Sequence, residues 1–125
     1  MKVLLVDDSR TMRSIWKRVI TAMGDNPTVE ASDGQEALDA IAQHGPFDLM
    51  LLDWNMPNMD GFTLLQKVRE TDKCTPIMMV TTEAEKPRII EAIKAGANNY
   101  VIKPFTPETL QQKIEETLKK VAQTA

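Results

Sequence analysis

The sequence predicts an α/β fold, a doubly wound parallel sheet with helices on both faces. Three observations carry that reading. The runs Val3-Leu4-Leu5-Val6, Leu49 to Leu52 and Ile77-Met78-Met79-Val80 are continuous rather than alternating, which suits strands buried on both faces. Stretches with helical apolar spacing separate the strand candidates and follow the last of them. The intervening loops are short, so successive strands are joined by right-handed crossovers.

Taken in order, Val3 to Val6 is the first strand. Ser9 then caps a helix whose apolar residues Met12, Ile15, Trp16, Val19, Ile20 and Met23 form an i, i+3, i+4, i+7 stripe closed by Gly24. The run Thr28-Val29-Glu30-Ala31 is weaker, and because Val29 alternates with polar neighbours this strand is expected near an edge. Asp33-Gly34 opens a second helix carrying Ala37, Leu38 and Ile41. The third strand runs from Leu49 to Leu52 into Asp53, and Phe62, Leu65 and Val68 mark the third helix. After the fourth strand, Ile89, Ile90 and Ile93 mark a fourth helix that stops at Gly96. Tyr100-Val101-Ile102 is the fifth strand. Thr106-Pro107-Glu108 starts the last helix, with a Thr cap and Pro at the first helical position, followed by Leu110, Ile114, Leu118 and Val121.

A chain of 125 residues accommodates one domain with a real core, and residues 1–125 contain no linker or low-complexity segment. Hydrophobic residues at 42% and charged residues at 26% suit a compact protein and exclude a disordered one. The net charge of -3 argues against a nucleic-acid or anionic-membrane surface. The single cysteine, Cys74, excludes an internal disulfide and a cysteine-based zinc site, and fits a reducing compartment. No apolar run approaches the roughly 18 residues of a membrane span, and Lys2 to Val6 is too short for a signal-peptide core. The expectation is a soluble, cytoplasmic, monomeric protein of one domain.

In sheets of this kind ligands bind outside the carboxyl ends of the strands. Asp7-Asp8 follow the first strand, Asp53 the third, Thr81-Thr82-Glu83 the fourth and Lys103-Pro104 the fifth. Three acids, a hydroxyl and a lysine would therefore meet on one rim. Each pair of carboxylates about 4 Å apart costs roughly 4 kcal/mol at an effective dielectric near 20, so either one takes up a proton or a cation is present. An all-oxygen set without His or Cys suits Mg²⁺. Such a site serves phosphoryl transfer, with the ion and a lysine neutralising phosphoryl oxygens. A carboxylate can itself be the nucleophile, and Asp53, central and followed by a tight turn, is the best placed. Taken singly, Asp7, Asp8 and Ser9 equally suit a helix cap and Asp53 a turn residue, while Thr81 is by default a loop hydroxyl and Lys103 a solvated lysine. It is their convergence from four strand ends that favours a site.

These residues also resemble a family. VDDS with the following TMR, DWNMPNMDG from Asp53, VTTEAEK from Val80, AGANNYVIKPF from Ala95 and the closing amphipathic helix resemble, in order and over nearly the whole length, the receiver domain of bacterial response regulators. Within it they are similar to the CheY-like stand-alone chemotaxis regulators. The resemblance implies a flavodoxin-like (βα)5 fold with strand order 2-1-3-4-5 and no effector domain. It implies that Asp53 is the phosphoacceptor. Mg²⁺ would be bound directly by Asp8, Asp53 and the backbone carbonyl of Asn55, and by Asp7 largely through a water. Lys103 would pair with the phosphoryl group, Thr81 would turn its hydroxyl to it, and Tyr100 would swing inward. That would change the surface formed by the fourth helix, fifth strand and fifth helix. The Lys103–Pro104 bond is expected to be cis. Asn55 and Glu83 match positions that set phosphoryl lifetime, and Trp54, beside the acceptor, should report metal binding by its fluorescence. Lys86, Ile89, Ile90, Tyr100, Val101 and Lys113 match the surface that meets the flagellar motor switch.

The implied partners are a CheA-like histidine kinase as phosphodonor, a FliM-like motor switch protein or another protein target, and a possible phosphatase. No nucleic acid or membrane is implied. The protein would phosphorylate and dephosphorylate itself with Mg²⁺ without being an enzyme in the usual sense. One position departs from the pattern: Thr82 stands where many relatives carry Ala or Ser, and its branched side chain is expected to crowd the path of Tyr100. Two other readings compete. A receiver could serve a non-chemotaxis phosphorelay or a separate effector protein. An aspartyl-nucleophile phosphatase of the haloacid dehalogenase type would need an acid at position 55, where Asn55 stands.

Overall fold

Each apolar run forms a strand and each striped stretch a helix in the computed structural model, which describes residues 1–124, with side chains through residue 121. The order is β1 (Val3–Val6), α1 (Arg10–Ala22), β2 (Thr28–Ala31), α2 (Gly34–His44), β3 (Leu49–Asp53), α3 (Gly61–Arg69), β4 (Ile77–Thr82), α4 (Ile89–Lys94), β5 (Asn99–Lys103) and α5 (Pro107–Thr124). The five strands make one parallel sheet ordered β2-β1-β3-β4-β5, so β2 lies at an edge as its mixed pattern predicts.

Successive side chains of a strand leave the sheet on opposite faces, and the continuous runs fill two cores. Leu4, Val6, Met50, Leu52, Ile77 and Met79 pack with Ala37, Leu64 and Leu65. Val3, Leu5, Leu49, Leu51, Met78 and Val80 pack on the other face with Trp16, Ile20, Leu110 and Ile114. Burying each such side chain contributes about 1.5–3 kcal/mol. The indole Nε1 of Trp16 is buried with no hydrogen-bond partner among the described residues, a loss of about 1–3 kcal/mol.

Four helices start on side-chain caps. The Ser9 hydroxyl accepts from Met12 N at 3.2 Å, Asp60 from Thr63 N at 2.8 Å, and Thr106 from Thr109 N at 3.1 Å. At α2, Glu36 N donates to the N-cap Asp33, and the Glu36 carboxylate in turn accepts from Ser32 N, one residue before the cap, so the helix start is held from both sides. The Lys103–Pro104 bond is cis, as expected, and so is Gly45–Pro46.

The fourth helix differs from expectation. It has only six residues, preceded by a 3-10 turn over Glu83–Arg88. Pro87 lies inside that turn, and a residue without an N–H cannot continue an α-helical ladder. Ile89 is buried, but Ile90 and Ile93 are 66% and 44% exposed, so the three isoleucines do not form one core-facing stripe. Among the described residues no helix is long and apolar enough to cross a membrane.

Arg69 is the buried polar anchor at the amino end of the sheet. It donates to the carbonyls of Asp72 (2.9 Å), Thr75 (2.7 Å) and Gly96 (2.9 and 3.0 Å) and to Asn98 Oδ1 (3.1 Å), tying the loop before β4 to the loop before β5. Gly96 has φ +115°, and a Cβ there would lie 2.8 Å from Arg69 Nε, so a side chain at this turn is excluded twice over. Arg69→Met is expected to cost about 2–4 kcal/mol, because several carbonyls lose their donor together. Urea unfolding reads this as a lower midpoint with an unchanged slope; a midpoint equal to the parent's would remove Arg69 from the role.

Candidate functional site

The register delivers the polar residues to one edge. Val6 pairs with Leu52, Asp53 with Val80, and Thr81 and Thr82 with Ile102 and Lys103. Asp7 therefore follows β1 level with Asp53, the last residue of β3, and Lys103 ends β5. The Lys103 ammonium spans the gap, 3.1 Å from Asp7 Oδ2 and 3.1 Å from Asp53 Oδ1. Asp7 and Asp53 are only 1% and 4% exposed, while Asp8 is exposed. One carboxylate oxygen from each of Asp7, Asp8 and Asp53 lies within 4.8 Å of the other two.

Each acid is held locally. Asp7 Oδ1 accepts from Ser9 N at 2.7 Å, so both its carboxylate oxygens are bonded within the chain. Its carbonyl accepts from Arg13 Nη1 at 2.6 Å, and Arg13 also pairs with Glu30 at 3.0 Å, which fixes the β1–α1 loop against β2. After Asp53, Trp54 N continues the ladder by donating to Val80 O at 2.9 Å, and Gly61 N returns to Trp54 O at 2.8 Å. A Cβ on Gly61 would stand 2.2 Å from the Asp53 carbonyl oxygen, so only glycine lets α3 start this close to the acid. Asn58 takes the left-handed conformation, φ 68°, that closes the loop.

Burial is the largest cause that pushes Asp53 up to about 6 from an ordinary 3.8; the charge on Asp7 adds to it, Lys103 opposes it, and Asp8 adds again. Burial also raises Asp7, against the Ser9 N–H and Lys103. For Lys103 burial works toward the neutral amine, but Asp53 and Asp7 outweigh it and hold the ammonium above the ordinary lysine range. One cation thus faces three carboxylates. The remaining negative charge and the all-oxygen donor set fit a hard divalent ion.

Thr81 is fully buried, and among the described residues its hydroxyl donates only to the carbonyl of Thr82, at 3.4 Å. Thr82 lines a cavity of about 480 Å³ with Met12, Ile15, Lys103 and Phe105 on the α1 face. Tyr100 packs against the core on the opposite face, so the expected crowding of Tyr100 by Thr82 is not found: adjacent strand residues face opposite sides. The Tyr100 ring is half-buried beneath the Lys113 ammonium at 5.1 Å, beside a cavity of about 550 Å³ that also involves Phe105 and Thr109. Of the other residues expected on this face, Lys86 and Ile90 are exposed, whereas Ile89 and Val101 are buried and supply packing rather than surface. Asn55 and Glu83 are exposed, one beyond Trp54 and the other opening the 3-10 turn.

Two arrangements were not legible in the sequence. Trp54 is 1% exposed, stacks on Phe62 with ring centroids 5.5 Å apart, and lies with it beneath Arg88, whose guanidinium is 5.0 and 5.4 Å from the two rings. On the other face Lys103 Nζ sits 5.7 Å from the centre of the Trp16 ring. The apolar stripe of α1 put Trp16 in the core, but no local pattern could pair it with the end of β5.

Sheet order and acidic edge together define a receiver-type signalling domain. The chain belongs to the response regulator receiver domain family, whose profile matches residues 3–115. It is 48% identical over 120 residues to a chemotaxis protein CheY homolog of Campylobacter jejuni, covering 94% of this chain and 92% of that protein. To the chemotaxis protein CheY of Pseudomonas aeruginosa it is 47% identical over 123 residues, covering 97% and 98%. The crystal structure of chemotaxis response regulator CheY4 of Vibrio cholerae superposes with a TM-score of 0.84 at 40% identity over 93% of this chain and 97% of that one. NtrX from Brucella abortus matches over 98% of this chain but 28% of its own, with a TM-score of 0.90 at 26% identity.

The raised Asp53 has a consequence for stability. The folded chain binds this proton more tightly than the unfolded one, so the contribution is full below about pH 4 and is lost as pH rises through about 6. In the presence of a metal chelator, Asp53→Asn is expected to gain about 1–3 kcal/mol at pH 7.5 and much less at pH 4, measured by urea unfolding. An equal gain at both pH values would detach the effect from the ionisation of Asp53.

Proposed function

We propose that the protein is a phosphorylation-activated switch of two-component signalling, with Asp53 accepting a phosphoryl group from a histidine kinase. The observation that carries this reading is the buried carboxylate of Asp53, 3.1 Å from the Lys103 ammonium at the carboxyl edge of a receiver sheet. A pKa of about 6 leaves Asp53 ionised at neutral pH and therefore nucleophilic. Its oxygen attacks phosphorus as the phosphorus–nitrogen bond of a phosphohistidine donor breaks. The Lys103 ammonium, already beside that oxygen, follows the charge onto the phosphoryl group.

Asp8 and Asp53, with the Asn55 carbonyl, would hold Mg²⁺ directly. Asp7, whose oxygens are bonded to Ser9 N and Lys103, would act through a water. The bound ion supplies charge neutralisation at the phosphoryl oxygens. The new phosphoryl group carries about -1.5 to -2 charges and strong acceptor oxygens. The Thr81 hydroxyl, which has only a long bond to give up, turns to one of them. Tyr100 moves inward from its half-buried position, and the surface of α4, β5 and α5 changes. Asn55 and Glu83 tune the lifetime. The chain is thus a phosphoacceptor that modifies itself rather than an enzyme acting on a separate substrate.

Likeness to CheY proteins over nearly the full length favours a chemotaxis output, with a CheA-like kinase upstream and a FliM-like motor switch protein downstream. Lys86, Ile90, Tyr100 and Lys113 would supply the contact surface.

Incubation with acetyl phosphate and Mg²⁺ is expected to place one acid-stable, base-labile phosphoryl label on the protein and to change Trp54 emission. Asp53→Asn should abolish the label, and a label that survives this change overturns the reading. Asp8→Ala is expected to weaken Mg²⁺ binding by about tenfold or more, since even the loss of an outer partner of a metal ligand costs about 10–100-fold. Beryllofluoride should strengthen capture of a motor switch protein; capture that is indifferent to it removes the chemotaxis output while leaving the phosphoacceptor intact.

A further inference from the structure

The fully buried Trp16 is a costly choice for a core position. Its indole N–H has no partner among the described residues, and a leucine or phenylalanine would fill an apolar core without that loss. What tryptophan offers beyond either is the largest and most electron-rich ring face, the best of the side chains for a cation. A cation is present on it: Lys103 Nζ lies 5.7 Å from the ring centre. The same ammonium is 3.1 Å from Asp7 and 3.1 Å from Asp53.

We infer that Trp16 is a positioning residue for Lys103. Its ring forms a fixed floor beneath the ammonium and confines the cation to the gap between the two buried acids. The two carboxylates are on the strand ends and draw the ammonium along the sheet edge. Trp16, anchored on α1 among Val3, Leu5, Leu51 and Val80, limits its position from a third direction. Among the described residues the indole makes no hydrogen bond to an acid of the site, so Trp16 acts on the site through the lysine.

The inference rests on the reading of Lys103 as the group that pairs with the phosphoryl oxygens, but its first test does not. The chain has two tryptophans, so in a Trp54→Phe background all indole emission comes from Trp16. There, Lys103→Met keeps a side chain of similar length at the end of β5 and removes the charge from the ring, and, in protein verified as folded by circular dichroism, the resting emission of Trp16 is expected to shift in wavelength or intensity without metal or phosphodonor. Emission unaltered by Lys103→Met overturns the contact.

The second test compares Trp16→Phe with Trp16→Leu in the otherwise native chain, both verified as folded by circular dichroism. The rate of labelling by acetyl phosphate is expected to fall about fivefold in Trp16→Leu, the effect of losing one partly buried cation–π contact, and to stay within about twofold of the parent in Trp16→Phe, which keeps an aromatic face. Mg²⁺ affinity is expected to be unchanged in both, since the Trp16 indole makes no hydrogen bond to an acid among the described residues. Equal slowing in both variants, or slowing matched by lost Mg²⁺ affinity, marks a structural role and overturns the proposal. A parent protein that takes no label would overturn the phosphoacceptor reading, and the emission test would still decide the place of Trp16.

Discussion

The lysine bridge between Asp7 and Asp53 is the constraint on which the rest of the edge depends. Two carboxylates almost wholly removed from water repel each other and lose hydration, and one ammonium 3.1 Å from each is what the fold provides against that. The three groups come from three different strands, β5 being two places from β3 and three from β1 in the sheet. Their meeting is therefore a product of register, and register here is fixed strongly, because a slip by one residue would send every strand side chain into the core on the opposite face, where it is not shaped to fit. The apolar runs that look purely structural thus fix the chemistry: Leu52 against Val6 and Val80 against Asp53 put the acids level.

The bridge is also incomplete. A single cation does not neutralise three acids, and Asp53 remains pushed up to about 6 even with Lys103 beside it. A site at this balance is unfavourable for the fold and favourable for an incoming charge. Any hard cation that enters relieves the acids, and any group that removes the negative charge of Asp53 changes what holds Lys103. The imbalance is electrostatic, and glycine at position 61 lets the chain pass close to the Asp53 carbonyl where any side chain would clash.

How much of this could be read beforehand divides along sequence separation. Local periodicity and capping residues gave all five strands and five helices, because 3.6-residue stripes and Ser, Asp and Thr caps are properties of neighbouring residues. The acid and lysine at the strand ends were legible because a parallel sheet has one functional edge. The fourth helix was less so. Its isoleucines have helical spacing, but Pro87 forces a 3-10 turn ahead of them, leaving six α-helical residues with Ile90 and Ile93 in water. Thr82 was set against Tyr100 because it follows the switch threonine where many relatives carry a smaller residue, whereas strand alternation sends the two to opposite faces. Arg69 with four loop partners, Arg88 on Trp54 and Lys103 on Trp16 all join residues distant in sequence. No local pattern marks an arginine or a tryptophan as one half of such a pair.

Those distant pairs bear on how a change at Asp53 would reach α4. Six residues following a 3-10 turn are too few for a helix stable by itself, so α4 is held by what it touches: Ile89 and Ala92 in the core and Arg88 over the Trp54–Phe62 stack. Trp54 is the residue directly after Asp53, and its N–H bonds β4 just before Thr81. On the proposed reading the phosphoryl signal then has two physical connections to the same short element. One passes through Thr81 and the end of β4. The other passes through the indole next to the acceptor and the guanidinium at the start of α4. The first depends on a hydroxyl changing its partner, the second on a ring and a cation keeping theirs. An element with little stability of its own, connected to the acid both through the end of β4 and through the residue after Asp53, is the part of this fold most easily moved by charge at position 53.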